Sequence, residues 1–335
     1  MPVTAKTLAL KLGLSQSTVS RILNGDPRQR ISDETRARVL EAARLLDYRP
    51  NAVARSLRHG RTNIIGLYTR TTYDVRNHFL AEILGGMQHA CARHGQDLLL
   101  QTARRDKSAE VIFNSLRDGR IDGLIVHNSQ EDPLVQRLAH SALVRPETAI
   151  PVVAIADPDP VLPVVTCEDS LGMELLVHEL LRRGYTRFAF LEPQFKLSSV
   201  ESRKLAWKNT LLAAGVLENA LLNIEIDGES AESALRDDRL LTGERCAVSC
   251  WNDQSAYSLL STCFRHAISV PGDLAITGFD GLLDPRLTDR RLVTVDCRWA
   301  DAASTAVDLL MQLISGEAVP EETRMPVFLT LGDTI

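Results

Sequence analysis

Between Ser15 and Leu23 the chain carries Gln16, Ser17, Thr18, Ser20 and Arg21, a run of amide and hydroxyl side chains with one guanidinium. An arginine can offer two donors to the O6 and N7 of guanine, a glutamine can pair with adenine, and hydroxyls near a helix start reach phosphate oxygens. Val19, Ile22 and Leu23 alternate with them at helical spacing, so one face of this helix is wet and the other must be buried. Held against a groove, the wet face would read double-stranded DNA. An ordinary capped surface helix carries the same hydroxyls, so the neighbouring elements decide between the two.

The stretch before it supplies a partner. Leu8, Ala9 and Leu12 form one apolar stripe, Lys6 and Lys11 take the wet side, and Thr4 is placed to cap the helix. Gly13 gives the backbone freedom that a sharp reversal needs, Ser15 caps the second helix, and Ala9 is spaced to meet Val19 across a close crossing. This is helix-turn-helix spacing. After the loop NGDPRQRI, Ser32 opens a third helix running to about Leu46, with Val39, Leu40, Ala43 and Leu46 as its stripe and Arg36, Arg38 and Arg44 outside. In YRPNAVARSLRHGRTN, Pro50 ends that helix, Asn51 can cap another, and Ala52 to Arg58 make barely two turns. A helix that short is marginal in water and needs a partner.

Charge is distributed to match. The 335 residues carry a formal charge of −5, yet residues 1–60 hold 11 Lys and Arg against 5 Asp and Glu, leaving −11 on residues 61–335. A cationic module on an acidic body suits phosphate binding at one end only. No apolar run reaches the length of a membrane span and no secretory leader pattern opens the chain, so the expectation is a cytoplasmic protein. The six cysteines (Cys91, Cys167, Cys246, Cys250, Cys263 and Cys297) include no CxxC pair and are expected to be buried, reduced thiols rather than metal ligands. An enzyme is not expected either: Glu168/Asp169 and Asp237/Asp238 are adjacent acidic pairs rather than a separated acid and base, and no glycine-rich phosphate loop appears. No cofactor is implied.

Beyond Gly60 short apolar runs alternate with helical patterns. Strands are predicted near Ile64–Tyr68, Leu98–Gln101, Gly123–His127, Val152–Ile155, Phe188–Leu191, Ile224–Ile226, Ala247–Cys250, Ala275–Thr277 and Val293–Val295. Helices are predicted over Phe79–His94, Ala109–Asp118, Leu134–His140, Leu171–Arg183, Val200–Ala214, Ala231–Leu241, Ser255–His266 and Ala300–Ser315. Strands apolar on both faces mean parallel sheets covered by helices, a doubly wound α/β body in two lobes.

These residues together resemble the LacI/GalR (lactose-repressor) family of bacterial transcriptional regulators, almost end to end. The matching motifs are GLSQSTVSRILNG at 13–25, YRPNAVARSLR at 48–58, NIIGL at 63–67, DGLIV at 122–126, IPVV at 150–153, WNDQSA at 251–256, VPGDLAITGFDG at 270–281 and VTV at 293–295. The resemblance implies an all-α helix-turn-helix headpiece at 1–50, a hinge helix and linker at 51–61, and a two-lobed body at 62–335 like periplasmic binding proteins. The first lobe would span about 62–160 and 293–320, and the second about 161–292 and 321–335. It implies a homodimer, or a tetramer built from it, on a two-fold related operator. In that frame Gln16, Ser17 and Arg21 read bases, and Thr4, Ser15, Thr18, Ser20 and Asn24 meet phosphates. Asn51, Ala54, Leu57 and Arg58 belong to the hinge, with Leu57 wedged into the minor groove and Ala54 allowing the two hinges to approach.

For the body the resemblance implies a small-molecule effector, sugar-like, between the lobes. Arg203, Asp253 and Asp280 match effector positions, with Phe79 and Trp251 as stacking faces. Ionised groups make the stronger hydrogen bonds to hydroxyls. Each has a structural alternative: Arg203 could pair with Glu201 or Glu192, Asp253 could cap the helix after it, and Asp280 could hold a turn. This chain departs from the family pattern at four places. DVRNHFLAE lacks the proline-aromatic pair of sugar-responsive members, Trp251 replaces a small residue, Ala206 replaces a glycine, and Ser249 stands where purine-responsive members stack an aromatic. A solute-binding protein would share the body but not the +6 headpiece, and a regulator controlled by a protein co-regulator, or without an effector, is the remaining alternative. The expected function is therefore a DNA-binding transcription regulator, a repressor controlled by a small molecule.

Overall fold

The computed structural model describes residues 3–23, 31–48, 60–69, 77–102, 109–127, 132–227, 230–282 and 290–335. The chain divides into two compact units, Met1–Asn63 and Ile64–Ile335.

In the first unit, α1 (Ala5–Leu12), α2 (Gln16–Leu23) and α3 (Asp33–Leu45) close over Leu8, Ala9, Val19, Ile22, Val39 and Ala43. Gly13 ends α1 in the left-handed region, φ 66°, which lets its N–H reach back to Ala9 O and Leu10 O before α2 begins. Ser32 caps α3 by accepting from Thr35 N. Leu40, expected inside, is 49% exposed: the buried stripe of α3 is Val39 and Ala43 with half-buried Leu46, and Leu40 lies one residue round the helix from it.

The second unit begins with β1 (Ile64–Thr69), α4 (His78–Arg93), β2 (Asp97–Thr102), α5 (Ala109–Arg117), β3 (Gly123–His127), α6 (Pro133–Val144), β4 (Val152–Ile155) and β5 (Val164–Cys167). It continues through α7 (Asp169–Arg182), β6 (Arg187–Pro193), α8 (Ser198–Ala213), β7 (Leu221–Ile226), β8 (Cys246–Cys250), α9 (Asp253–Arg265) and β9 (Leu274–Thr277). Last come β10 (Thr294–Asp296), α10 (Trp299–Ser315), β11 (Glu322–Met325) and β12 (Phe328–Thr330). One parallel sheet has the order β11-β5-β4-β3-β1-β2, a second has β7-β6-β8-β9, and β10 pairs antiparallel with β12. Every residue of β4, β5, β8 and β9 is buried, as strands covered on both faces must be.

Two expectations about the body change. Val164–Cys167 and Glu322–Met325 pair with each other in the first sheet, although their segments were assigned to the second lobe. Bridges from Thr277 to Val293 and from Asp280 to Asp296 tie β10 to the second lobe instead of the first. Val164–Cys167 and Glu322–Met325 therefore belong to the first sheet, and Thr294–Asp296 adjoins the second. The cause is visible in the residues: β11 is an edge strand reading ETRM, too polar for an apolar-run search, and β5 is four residues long behind Pro163. Likewise the helix predicted over 231–241 is only a short 3-10 turn, Glu232–Arg236. Free thiols at all six cysteines are buried.

Helix α10 carries the first lobe's main packing, lying on α4 and across β3, β4 and β5. Gly86 of α4 sits against the Ala300 carbonyl of α10, where a Cβ would fall inside van der Waals contact. That close approach fixes the start of α10, and with it Trp299, over the carboxyl ends of the strands.

Candidate nucleic-acid interface and effector cleft

On the headpiece, Thr4 accepts from Thr7 N at 3.1 Å and so caps α1. Ser15 accepts from Thr18 N at 3.1 Å and shares 2.8 Å hydrogen bonds with the hydroxyls of Ser17 and Thr18. Gln16 and Ser17 are exposed at the N-terminal turn of α2, while Thr18, Ser20 and Arg21 are half-buried on its flanks. Val19 and Ile22 hold the opposite face in the core. Gln16, Ser17 and Thr18 are thus presented from the start of the helix, where backbone N–H groups favour an anion, while Arg21 stands in its last turn. Asn24, Asn51, Ala54, Leu57 and Arg58 lie outside the described residues.

In the body, the carboxyl end of the second sheet gathers the charged residues. Arg203, on the first half of α8, is buried; its Nε donates to Asp169 Oδ1 at 2.7 Å and its Nη1 to the Trp251 carbonyl at 2.8 Å. Its Nη2 lies 3.6 Å from Asp280 Oδ1, and the guanidinium carbon stands 3.8 Å from the centroid of the Phe279 ring. Burial alone would depress its pKa, but Asp169 and Asp280 outweigh that and hold Arg203 above its ordinary value. The carboxylates suggested by sequence proximity, Glu192 and Glu201, bind Lys204 at 2.7 and 3.3 Å and leave Arg203 to the cluster.

Asp280 has φ 121°, a conformation rare outside glycine, and accepts from Trp299 Nε1 at 3.2 Å. Since Trp299 opens α10 of the first lobe and Asp280 follows β9 of the second, this bond spans the lobes. The Trp299 ring meets Phe79 edge-on at 4.9 Å, and Phe79 lies 4.9 Å from His127, at the carboxyl end of β3. Burial pushes His127 down to about 4, so the imidazole is neutral at physiological pH. A second bridge runs from the first lobe's Asp157, which accepts from Ser199 N at 3.0 Å at the start of α8; burial raises its carboxyl.

Asp253 takes a different place from the one expected of a pocket residue. It is fully buried and accepts from Thr294 Oγ1 at 2.5 Å and Leu282 N at 2.6 Å, so it holds the loop that carries Asp280. Burial, with the Asp280 carboxylate nearby, pushes it up to about 8. The cap of α9 is Asn252, which accepts from Ser255 N. Trp251 packs edge-on against Phe195 at 5.9 Å. Sequence reasoning missed Asp169, Trp299, His127 and Asp157. In the sequence Asp169 stands out only as half of an acidic pair, although its place two residues after a strand and at the start of a helix is a usable signal.

Comparison with known proteins agrees with this architecture. Residues 4–51 match the model of bacterial regulatory proteins of the lacI family, and residues 177–335 match that of the periplasmic binding protein-like domain. The transcriptional regulator GalR of Escherichia coli is 27% identical over 328 residues, covering 96% of this chain and 92% of its own length. A PurR transcriptional repressor of Vibrio cholerae is 26% identical, with 93% and 91% covered. Among solved structures, the lac repressor dimer bound to operator and the anti-inducer ONPF superposes with a TM-score of 0.83 at 24% identity, covering 100% of this chain and 99% of that one. The regulator CelR in complex with cellobiose superposes with a TM-score of 0.71 at 23% identity over 99% of both chains. Among the described residues no helix is long and apolar enough to cross a membrane. A headpiece that matches the lacI family of bacterial regulatory proteins and a periplasmic binding protein-like body stand in one polypeptide, which is similar along nearly its whole length to transcriptional regulators rather than to enzymes.

Proposed function

We propose that this regulator represses transcription by binding a two-fold related operator as a homodimer, and that a hydroxyl-rich small molecule between its lobes, a sugar or sugar derivative, sets its operator affinity. The observation that carries the reading is the buried cluster of Arg203, Asp169 and Asp280, joined across the lobes by the Trp299 N–H. Buried charges of this kind persist where they are paired or serve a ligand, and these sit at the carboxyl ends of parallel strands, where ligands bind in open α/β sheets. The named relatives include a ribose operon repressor of Haemophilus influenzae, and the similar structures include one with cellobiose bound.

In this reading Gln16, Ser17 and Arg21 meet base edges, and Thr4, Ser15, Thr18, Ser20 and Asn24 meet phosphates. Asn51, Ala54, Leu57 and Arg58 form the hinge that enters the minor groove. Arg203, Asp280, Phe79 and Trp251 contact the effector, with Asp253 acting through the loop it holds. A ligand that binds one lobe arrangement more tightly than the other shifts the balance between DNA-competent and incompetent states by that difference and no more. The test is a thermal-shift screen of the full chain against pentoses, hexoses, disaccharides and nucleosides, followed by titration of DNA selected from a random duplex library with and without each stabilising compound. A compound that both raises the melting temperature and changes DNA affinity supports the reading; stabilisation with unchanged DNA affinity removes it.

A further inference from the structure

Three polar side-chain atoms in the second lobe are buried without a hydrogen-bond partner among the described residues: Trp207 Nε1, Ser249 Oγ and Trp251 Nε1. They belong together. Ser249 stands in register with Phe190 on the neighbouring strand, and the Phe190 ring lies 5.6 Å from the ring of Trp207. Trp251 is two residues beyond Ser249, just past the strand end, where its N–H still donates to the Leu191 carbonyl of the neighbouring strand at 3.0 Å. Trp207 is one turn after Arg203 on α8 and faces the same way, while the Trp251 carbonyl accepts from Arg203 Nη1. Trp207 and Ser249 thus adjoin through Phe190, and Trp251 adjoins the Arg203 cluster through its carbonyl.

An unpaired donor in the interior is a destabilising feature that native proteins rarely retain without an occupant. Indole nitrogens only donate, so the occupant must accept hydrogen bonds, and a cationic amine does not fit. The adjoining cluster sets two carboxylates, Asp169 and Asp280, against the single Arg203 cation, and that balance disfavours an anion. Resting on the effector reading above, we propose that Trp207, Ser249 and Trp251 form a deep subsite that receives a hydroxyl or carbonyl oxygen of an uncharged ring compound. Phe195, half-exposed and edge-on to Trp251, stands at its outer side. The same acceptor chemistry could be met by an ordered water. The two sources are separable by experiment.

The full chain is labelled with 5-fluorotryptophan, and its three indole resonances are assigned by single Trp→Phe substitutions. D-galactose, D-ribose, cellobiose and cytidine serve as neutral probes, with D-gluconate as the anionic control. The expected result is that a neutral probe that raises the melting temperature shifts the Trp207 and Trp251 resonances. Its affinity should fall at least fivefold in both Ser249→Ala and Trp251→Phe. Ser249→Ala removes a single hydroxyl, so it keeps the test valid if the tryptophan variant folds poorly. A stabilising probe that binds both variants as tightly as the parent overturns the subsite. Resonances that respond to exchange of the solvent for D2O but ignore every stabilising probe identify water as the occupant and also overturn it. Failure of the effector reading itself looks different: no probe raises the melting temperature of the parent, and the subsite proposal then falls with it.

Discussion

Arg203 Nε lies 2.7 Å from Asp169 Oδ1, both side chains buried, at the point where the chain leaves the first sheet and enters the second lobe. The pair joins α8 to the start of α7 and presents the remaining guanidinium donors to Trp251 and Asp280. Arg203→Ala would leave two carboxylates buried without their cation, and a loss of about 3–5 kcal/mol is expected, read from chemical denaturation of the full chain. Stability equal to the parent would mean that the carboxylates are solvated and the cluster is not a buried ion group.

Asp253 gives the body a pH dependence of definite sign. Its carboxyl is raised to about 8 in the folded state by burial and by Asp280, while the unfolded value is near the ordinary one of about 3.9. Between those values the folded chain holds a proton that the unfolded chain has lost. This contribution is fully present below the unfolded value and is lost as pH rises through the folded one, with a slope of at most about 1.4 kcal/mol per pH unit. Asp253→Asn keeps one oxygen acceptor for Leu282 N and turns its NH2 towards Thr294 Oγ1, which can accept, but it cannot ionise. Melting curves from pH 5 to pH 9 should fall less steeply for the variant than for the parent; parallel curves would mean that Asp253 titrates normally.

Gly86 tests the placement of α10. A methyl group there would strike the Ala300 carbonyl, so Gly86→Ala should cost about 1–3 kcal/mol through forced separation of α4 and α10. Gly85, beside it, has open space around its own Cβ position, and Gly85→Ala should be neutral or slightly stabilising. Equal melting temperatures for the two variants would contradict the close crossing.

Arg21 tests the reading face of α2. Arg21→Ala should relax preference at one base pair in each half-site by about 1–3 kcal/mol, measured by binding to a set of single-base operator variants. A uniform loss across all variants would instead make Arg21 a phosphate contact.

Local signals carried most of the fold. Thr4, Gly13, Ser15 and Ser32 sit where capping and turn chemistry require them, and both apolar faces of α1 and α2 meet as their spacing demands. Elements whose sequence is governed by tertiary position were harder to read. β11 is polar because it lies at a sheet edge, and residues 231–241 have helical composition but form only one short turn. In the site, Arg203 and Asp280 were legible as charges, but their partners were not. Asp169 is 34 residues from Arg203 and Trp299 is 19 from Asp280, distances over which no sequence period operates. Asp253 was read as a pocket group or a cap because exposed and buried carboxylates look alike in sequence; only its enclosure by Thr294 and Leu282 separates the cases.

The most direct test of effector-controlled DNA binding is titration of the full chain with its selected operator duplex at fixed salt, in the presence and absence of a compound that raises its melting temperature. A change in Kd of fivefold or more, in either direction, is the predicted result, since coupling between sites is commonly of order 1–3 kcal/mol. An operator Kd unchanged at saturating compound would contradict the account.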